Sequence, residues 1–500
     1  MPVVTTLVAA CLIVLSCPGS RAADAAAENT SPNVVVIFID DMGYADIGPF
    51  GATDYPTPNL DRMAAEGRKF TDFVVSSAVC SASRSALMTG CLHQRIGISG
   101  ALGPKSDHGI SSGETTLAEI CKSVGYDTAC FGKWHLGHHH KFLPTAHGFD
   151  EYYGIPYSND MWPLHPAVVT AREKNPDAPS PWPPLPLLQG TAADGVEVIN
   201  ADVTADDQKN FTKTFTEKAV EFIKRDRDQG FFVYLPHPMV HVPLYVSKDF
   251  EGKSGAGLFG DTVMEVDWSV GQIMKAVEDI GQTDNTLIVF TCDNGPWLSY
   301  GTHAGAATPL REGKGTMWEG GYREPTLMRM PGTVPAGTTC ESLAGTIDLL
   351  PTVAGMIGAE LPTHAIDGKD ISGLLKGTST DSPHEFFPCY FAGGQLQAIR
   401  GERFKLVFPH RYRTLNGRPG GSDGFPSRYE MATADLALYD LDNDIGETTN
   451  VMEDHPDVVA RLQAAAETFR DDLGDKLTGR KGSGIRPAER MTESDKRLVW

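Results

Sequence analysis

Two pairs of oxygen-bearing residues stand out in this chain because each directly follows a continuous apolar run. The pairs are Asp40 with Asp41, and Asp293 with Asn294. Their carboxylate and amide oxygens are hard ligands, and three carboxylates that cluster without a cation repel one another strongly. A bound divalent metal is therefore predicted. Ligation by oxygen alone favours calcium, with magnesium as the weaker candidate.

Basic residues follow other apolar runs in a similar way. Taken singly, each is more often a surface or structural residue, just as each acidic pair is more often a solvated turn. Together they predict a site in which a metal and several cations surround one tetrahedral oxyanion. The four basic residues are Lys133, His135, His241 and Lys314.

Cys80 is the candidate nucleophile, and it opens the segment Cys80-Ser-Ala-Ser-Arg84. Either Ser81 or Ser83 can cap a short helix that ends at Gly90, which places Cys80 at the positive end of the helix dipole. That position favours an anionic nucleophile or its adduct. A thiol, however, is a soft ligand that suits calcium badly, so Cys80 in its encoded form does not fit the predicted site.

The elements that must position these residues are strands. Four apolar runs predict strands buried on both faces, as in parallel sheets, and helical patterns alternate with them. The chain is therefore predicted to be an α/β protein with a large, mostly parallel sheet flanked by helices. The carboxyl ends of such strands share one edge of the sheet, which would gather all the candidate residues. The runs are Asn33–Ile39, Tyr126–Phe131, Phe231–Leu235 and Thr286–Cys292.

The pattern changes near Gly377. Before it, a capping box at Thr116 and Glu119 predicts the start of one of the helices that alternate with strands. Beyond it, short strand-like runs and a helical segment from Pro456 to Leu473 predict a smaller α+β domain on an antiparallel sheet. The Pro-rich stretch 157–190 is expected to be a long irregular insertion. The predicted units are a signal peptide over 1–22, a catalytic α/β domain over 32–377, the smaller domain over 385–480 and a loosely ordered tail over 481–500.

The first residues have the features of an export signal. An apolar run from Leu7 to Leu15 precedes small residues and a cleavage site after Ala22, although no Lys or Arg comes before the run. The run is too short to span a bilayer, and no later segment has the length of a transmembrane helix. A periplasmic or secreted protein is predicted, with a lipid anchor at Cys17 as the alternative. The net charge of −21 argues against nucleic acid as a partner.

Several motifs resemble those of the type I, formylglycine-dependent sulfatases of the alkaline phosphatase superfamily, over about residues 32–450. The resemblance favours the branch of arylsulfatase A and N-acetylgalactosamine-6-sulfatase. It implies an alkaline phosphatase-like fold and hydrolysis of sulfate esters, with a sulfated carbohydrate or an aryl sulfate as substrate. The motifs are Asp40-Asp-Met-Gly43, Cys80-x-Ala-x-Arg84 with Thr89-Gly90, Gly132-Lys-Trp-His-Leu-Gly137, Gly154-Ile-Pro-Tyr-Ser-Asn-Asp160, Asp293-Asn-Gly295 and Gly313-Lys-Gly-Thr-Met-Trp-Glu-Gly-Gly-Tyr-Arg323.

The resemblance also implies a role for each candidate. Cys80 is oxidised to formylglycine, whose hydrate attacks sulfur and expels the alcohol. The resulting covalent sulfate ester on residue 80 then releases sulfate and regenerates the aldehyde. Arg84 and His135 orient or activate the hydrate. His241 protonates the leaving oxygen, a role for which Lys314 is the competing choice. The metal ligands are Asp40, Asp41, Asp293, Asn294 and modified residue 80, and the substrate contacts are Lys133, Ser158, His241 and Lys314.

One residue departs from the family pattern. Ala82 stands where many sulfatases have proline, the form that the oxygen-dependent formylglycine-generating enzyme prefers. The radical-SAM maturation enzyme of bacteria also accepts alanine, so it is the expected maturation partner. Two alternatives to a sulfatase stay open. One is a phosphate or phosphonate ester hydrolase of the same superfamily, and the other is a non-catalytic glycan-binding protein in which Cys80 stays a thiol.

Overall fold

The apolar runs form the strands that they predict. The runs Asn33–Ile39 and Thr286–Cys292 are strands with the predicted bounds, and every residue in both is buried.

The computed structural model describes residues 1–3 and 31–500, so Cys17 and nearly all of the predicted signal peptide lie outside the described residues. In chain order the strands are β1 (Asn33–Ile39), β2 (Arg68–Phe70), β3 (Phe73–Val74), β4 (His108–Gly109), β5 (Asp127–Lys133), β6 (Glu151–Ile155), β7 (Leu187–Thr191), β8 (Gly195–Asn200), β9 (Phe231–Pro236), β10 (Thr286–Cys292), β11 (Thr326–Arg329), β12 (Thr338–Cys340), β13 (Ala344–Gly345), β14 (Phe387–Phe391), β15 (Gln395–Arg400), β16 (Phe404–Val407), β17 (His410–Thr414), β18 (Glu430–Ala434), β19 (Ala437–Asp440) and β20 (Glu489–Arg490).

Ten strands form one large sheet in the order β12-β2-β11-β10-β1-β9-β5-β6-β7-β8. The five central strands, from β10 to β6, run parallel. Antiparallel pairs lie on both sides of them, between β10, β11 and β2 and between β6, β7 and β8. The predicted α/β class is confirmed, with a sheet that is parallel at its centre and mixed overall. The outermost strand β8 alternates exposed and more buried residues, as expected for a strand with one solvated face.

Helices cover both faces of the large sheet. In chain order the α-helices of the described residues are α1 (Pro58–Glu66), α2 (Cys80–Thr89), α3 (Leu117–Ser123), α4 (Pro166–Lys174), α5 (Ala205–Lys209), α6 (Phe211–Ile223), α7 (Gly257–Asp279), α8 (Glu319–Tyr322), α9 (Leu349–Ile357), α10 (Ser372–Leu375) and α11 (Pro456–Leu473).

The two faces of β1 pack against different helices. Alternate residues of a strand point to opposite sides. Val35 and Ile37 accordingly lie in one apolar core with α1, α6 and α7. Val36 and Phe38 lie in another core with α2, α3 and α9. Because both faces are covered, the charged residues of the central strands lie at the strand ends, and several predicted site residues follow the carboxyl ends.

The starts of two helices test the capping predictions. The capping box at Thr116 is present at the start of α3, as predicted. The prediction that Ser81 or Ser83 caps α2 is wrong, because Val79 is the N-cap residue and makes no side-chain cap. The Ser81 hydroxyl instead accepts a hydrogen bond from the Leu102 N–H at 2.9 Å. This contact is distant in sequence, so a local capping pattern does not reveal it.

A second, antiparallel sheet follows the large one, in the order β14-β15-β16-β19. Helix α11 has the predicted bounds and packs on this sheet through Leu462, Ala466 and Leu473. The expectation of a small C-terminal α+β part on an antiparallel sheet is therefore confirmed. Strands β17 and β18 form a separate hairpin between β16 and β19.

A buried ionic cluster joins the second sheet to the large one. Lys405 Nζ, on β16, lies 3.1 Å from the Glu319 carboxylate and 2.8 Å from that of Glu447. Arg400, on β15, lies 2.8 Å from the Glu319 carboxylate and 2.7 Å from that of Asp72. Because Glu319 is the first residue of α8, the cluster connects the start of this helix to the second sheet. Buried charges of this kind depend on their partners, since water does not compensate them.

The last residues differ from the loosely ordered tail that the sequence predicts. Strand β20 pairs with β4, and the buried Leu498 donates its N–H to His139 Nδ1 at 3.3 Å. The Trp500 indole donates to the Pro184 main-chain oxygen at 2.7 Å. These two apolar residues lie among many charged residues in the sequence, so the composition of the segment does not indicate that they bind it to the rest of the chain.

The Pro-rich insertion is irregular for most of its length, as predicted, and contains only the helix α4 before β7 begins. Cys80, Cys91, Cys121, Cys130, Cys292, Cys340 and Cys389 are all buried free thiols. Within residues 1–3 and 31–500, no helix is both long enough and apolar enough to cross a membrane.

The ionic cluster generates a prediction about stability. A Lys405→Met variant keeps the side-chain length but leaves the buried carboxylates of Glu319 and Glu447 without their ammonium. We expect it to lower the free energy of unfolding by about 3–5 kcal/mol in urea denaturation. The matched control is Lys275→Met, which removes an exposed helix-surface ion pair with Asp279 and should change stability little. Equal effects of the two variants would contradict the prediction.

Candidate active site

The carboxyl ends of β1 and β10 bring the two acidic pairs together. The Asp293 N–H donates to the main-chain oxygen of Ile39 at 3.0 Å. The Asp41 N–H donates to Asp293 Oδ1 at 3.2 Å, and Asn294 Nδ2 donates to Asp41 Oδ1 at 2.7 Å. Asp40 lies beside them at the end of β1 and is also fully buried. Adjacent parallel strands in register thus bring residues more than 250 positions apart into one cluster.

The backbone turns sharply at two of the site residues. Asp41 has φ 61° and His135 has φ 62°, the left-handed region that non-glycine residues seldom occupy. Asp41 is the second residue after β1, and His135 is the second residue after β5. Such conformations persist only where the surroundings impose them, and they cluster at functional sites. Here they turn two functional side chains at the edge of the sheet.

Lys133 ends β5 and points into the acidic cluster. Its ammonium forms an ion pair with Asp40 and donates to Ser158 Oγ at 3.0 Å. The preceding Gly132 has φ +140°, and a Cβ there would lie 2.1 Å from the Pro236 main-chain oxygen on β9. Only glycine therefore lets β5 approach β9 closely enough to place Lys133 here. This explains why the glycine belongs to the predicted motif.

Arg84 links three of the strand ends from the first turns of α2. Its Nε donates to Asp293 Oδ2 at 2.9 Å, and its Nη1 donates to the main-chain oxygen of Lys133 at 3.1 Å. Its Nη2 also lies 3.6 Å from Asp40 Oδ1. The guanidinium is completely buried. Arg84 therefore holds the acidic cluster and the lysine in one arrangement.

Cys80 is the first residue of α2 and faces this cluster. Lys314 Nζ donates to its sulfur at 3.4 Å. Burial raises the pKa of the Cys80 thiol to about 12, although Lys133 and Lys314 act in the opposite direction. The thiol is therefore neutral at neutral pH, and the thiolate is the form that attacks or binds a metal. As encoded, Cys80 is a poor nucleophile in this position.

His241 and Lys314 reach the cluster from two different loops, one after β9 and one between β10 and α8. Lys314 Nζ lies 2.5 Å from Asp41 Oδ1, and His241 Nε2 lies 3.5 Å from Asp41 Oδ2. His241 Nδ1 lies 2.5 Å from the main-chain oxygen of Val242. Because a carbonyl oxygen only accepts, Nδ1 carries a proton and Nε2 is directed toward the site.

His135 completes the buried set. Both of its ring nitrogens are buried and make no hydrogen bond within the described residues. Burial, together with the charges of Lys133 and Arg84, holds the pKa of His135 well below its usual range. The imidazole is therefore neutral and retains a free nitrogen that can accept a proton. All eleven predicted site residues thus lie at this edge of the sheet, namely Asp40, Asp41, Cys80, Arg84, Lys133, His135, Ser158, His241, Asp293, Asn294 and Lys314.

The acidic residues fit a divalent cation. Oδ1 of Asp40, Oδ2 of Asp41 and Oδ1 of Asn294 are buried oxygens without a hydrogen-bond partner among the described residues. Potential ligand atoms of Asp40, Asp41, Cys80 and His241 lie within 4.8 Å of one another. Unpartnered buried oxygens are costly, and a hard cation is the group that satisfies several of them together.

The electrostatics of the cluster lead to the same conclusion. Burial alone would raise the pKa of Asp40, but Lys133, His241 and Arg84 hold it well below its usual range. Burial and the charge of Asp40 raise the pKa of Asp293 to about 7, despite the ion pair with Arg84. Asp293 therefore keeps its charge less readily than Asp40 does, and a divalent cation beside it would favour the charged carboxylate.

Two nearby residues were not singled out by the sequence analysis. The Trp297 ring lies 5.5 Å from the His241 ring, and Lys314 Nζ lies 4.7 Å from its centroid. Its position directly after Asp293-Asn-Gly-Pro was the available signal. Asp160 has a buried Oδ1 without a partner among the described residues. Its burial acts to raise its pKa, but His241 lowers it overall.

The fold is that of a sulfatase, and the chain belongs to the sulfatase family, whose model matches residues 32–359. It is 37% identical to arylsulfatase A of Bos taurus over 87% of this chain and 86% of that protein. It is 36% identical to N-acetylgalactosamine-6-sulfatase of Canis lupus familiaris over 79% of this chain and 75% of that protein. Among solved structures, the PsFucS1 sulfatase from Pseudoalteromonas sp. has a TM-score of 0.76 at 26% identity, covering 88% of this chain and 91% of that chain. The predicted family and branch are confirmed.

Removal of the metal is expected to destabilise the protein, because the buried oxygens of Asp40, Asp41 and Asn294 would lose the cation that satisfies them. Chelation of the metal-loaded protein should lower the Tm by several degrees, and added calcium should restore it. An Asp41→Asn variant should lose most of this response. The exposed Asp206→Asn variant should keep it. A wild-type Tm that does not respond to the chelator would exclude the metal site.

Proposed function

We propose that this sulfatase cleaves the sulfate ester of a carbohydrate or an aryl alcohol, with formylglycine made from Cys80 as its nucleophile and calcium as its metal. Hydrolysis of sulfate esters is the activity of its family. One observation carries the proposal for this chain. The cysteine that would serve as nucleophile is a buried, neutral thiol, and it is surrounded by hard oxygen ligands and ammonium groups.

The surroundings of Cys80 favour an oxygen nucleophile over sulfur. Asp40 and Asp41 supply hard oxygens, and a hard cation prefers oxygen to a soft thiol as a further ligand. Formylglycine in its hydrated form supplies two hydroxyl groups at this position, one to take the sulfuryl group and one to release it. The start of α2 adds the partial positive charge of the helix N-terminus to an anion formed there.

The proposed metal ligands are Asp40, Asp41, Asp293, Asn294 and an oxygen of modified residue 80. Five protein oxygens, three of them from carboxylates, support calcium, because magnesium usually takes only one or two carboxylates and retains several waters. When bound, the cation supplies positive charge for the nucleophile and the sulfate oxygens. His241 lies within reach of the same point, but its imidazole nitrogen is a softer donor than the oxygens around it. We therefore assign His241 to the substrate.

The remaining residues suit the charge and proton changes of sulfuryl transfer. Lys133 and Lys314 place ammonium groups where they can bind sulfate oxygens, and Ser158 is positioned by its hydrogen bond from Lys133. Although burial opposes it, the charge of Asp41 raises the pKa of Lys314, so this ammonium holds its proton firmly. His241 is then the better general acid for the leaving oxygen: in its imidazolium form it carries a proton on Nε2 as well as on Nδ1, and the Nε2 proton is the one transferred. His135 and Arg84 are the proposed positioning groups for the nucleophile.

The substrate class and the compartment are the coarser parts of the proposal. Relatives named for aryl and N-acetylgalactosamine 6-sulfate esters support an aryl sulfate or a sulfated sugar. Export to the periplasm or the medium is supported by the signal-like residues 1–22, with lipid attachment at Cys17 as the alternative. Maturation by a radical-SAM enzyme is supported by Ala82, which lies in the first turn of α2.

The modification and the activity are expected to depend on each other. The tryptic peptide Phe70–Arg84 should carry the aldehyde in place of the thiol, as measured by mass spectrometry. The same preparation should have a higher kcat/KM for 4-nitrophenyl sulfate than for bis(4-nitrophenyl) phosphate. Cys80→Ala should abolish turnover, and Cys91→Ala, outside the site, should not. Full activity with an unmodified thiol would overturn the mechanism, and a strong preference for the phosphodiester would overturn the sulfatase assignment.

Replacement of Ala82 tests the choice of maturation enzyme. Residue 82 lies at the third position of α2, where the N–H has no partner within the helix, so proline is tolerated there. We expect Ala82→Pro to gain formylglycine when the oxygen-dependent enzyme is the only one co-expressed. The wild type should gain it only with the radical-SAM enzyme, and Ser83→Ala should behave as the wild type does. Equal modification of the wild type by the oxygen-dependent enzyme would contradict this assignment.

A further inference from the structure

The hairpin of β17 and β18 lies against the active-site loop that follows β10. The Thr302 N–H donates to the main-chain oxygen of Gly421 at 3.2 Å. The N–H groups of Gly421 and Ser427 both donate to the main-chain oxygen of Ser299 at 2.8 Å. These contacts fix the hairpin to the loop that carries Trp297. The C-terminal part of the chain therefore borders the active site.

Arg413, on β17, reaches from the hairpin to the segment that carries Lys314. Its Nε donates to the main-chain oxygen of Lys314 at 3.0 Å, and its Nη2 donates to the same oxygen. Its guanidinium lies 5.7 Å from the ring centroid of Trp297 and 4.7 Å from that of Tyr429. Gly315 makes this approach possible, since a Cβ there would lie 2.5 Å from Arg413 Cζ.

The Arg413 guanidinium has no carboxylate partner among the described residues. Unlike Arg84, Lys133 and Lys314, which each pair with a carboxylate, Arg413 forms no ion pair among the residues that the structure describes. Its recorded hydrogen bonds use Nε and Nη2 and leave Nη1 free within the same residues. The side chain is only partly buried. In a chain with a net charge of −21, a cation left unpaired beside the active site is available to an anion from outside.

Trp297 supplies an apolar surface next to this cation. Its ring lies 5.5 Å from that of His241, the proposed general acid, and 4.7 Å from Lys314 Nζ. The side chain is partly exposed. A group that accepts a proton from His241 must lie near this ring. Trp297 therefore borders the region that the leaving group enters, and the Arg413 guanidinium lies beside it, 5.7 Å from its ring centroid.

We propose that Trp297 and Arg413 form the subsite for the leaving group, and that Arg413 selects sulfate esters whose leaving group carries a second anionic group. The proposal rests on the proposed function of the same site. Trp297 packs against the sugar or aryl ring, and the guanidinium donates a charge-assisted hydrogen bond to the second anion. Arg413 is thus a specificity-determining residue supplied by the C-terminal part of the chain.

The test uses two aryl sulfates that differ in one charge, 4-carboxyphenyl sulfate and its methyl ester. Both are measured with the formylglycine-containing, calcium-loaded full chain. The wild type should favour the carboxylate over the ester in kcat/KM, and Arg413→Gln should reduce that preference by about tenfold, mainly through the KM of the charged substrate. Arg413→Lys keeps the charge and should restore most of the preference. The matched control Arg411→Gln removes an exposed arginine of the same strand and should leave the preference unchanged.

The outcomes separate recognition of the leaving group from a purely structural role. If Arg413 only holds the main chain of Lys314, Arg413→Gln lowers kcat/KM equally for both substrates, and the proposal is overturned. A preference that Arg411→Gln reduces as much as Arg413→Gln also overturns it, because a general field effect would then suffice. If the wild type releases sulfate from neither of the two aryl sulfates, the proposed function itself is wrong, and the proposed subsite is wrong with it.

Discussion

The repulsion between three buried carboxylates is the constraint on which this sheet edge depends. Asp40, Asp41 and Asp293 are placed together by the parallel pairing of β1 and β10, at a depth where water cannot screen their charges. Each nearby feature offsets part of that repulsion. Arg84 forms a two-nitrogen contact with Asp293, Lys133 pairs with Asp40, and Lys314 pairs with Asp41. The buried oxygens of Asp40, Asp41 and Asn294 that still have no hydrogen-bond partner among the described residues suit the site to a divalent cation.

The central sheet and the motif residues were accessible from the sequence because their signals are local. A strand buried on both faces is mostly apolar, so the ends of β1 and β10 can be recognised in the sequence as the ends of apolar runs. The polar residues after those ends follow from the rule that parallel strands present their carboxyl ends together. The start of α2 was not readable in the same way, because Ser81 is bonded to Leu102 and not to its own helix.

Contacts made by distant segments were the part that the sequence could not reveal. Arg413 lies in a short strand with no motif, and its importance depends on Lys314, 99 residues earlier in the chain. Leu498 and Trp500 are two apolar residues in a charged stretch, and their contacts with His139 and Pro184 hold this stretch against the rest of the chain. The ionic cluster of Lys405 and Glu319 belongs to the same group. Such contacts have no period and no fixed spacing, so they appear only once the fold is known.

The burial of α2 limits the stage at which residue 80 can be reached by another enzyme. Every residue from Cys80 to Thr89 is buried, and Cys80 itself is 2% exposed. The folded chain leaves almost no surface of Cys80 for another enzyme to reach. The formylglycine that we propose at residue 80 would therefore have to be made before α2 is buried, and a chain that folded first would keep the neutral thiol. The fraction of active enzyme would then depend on the rate of modification relative to the rate of folding.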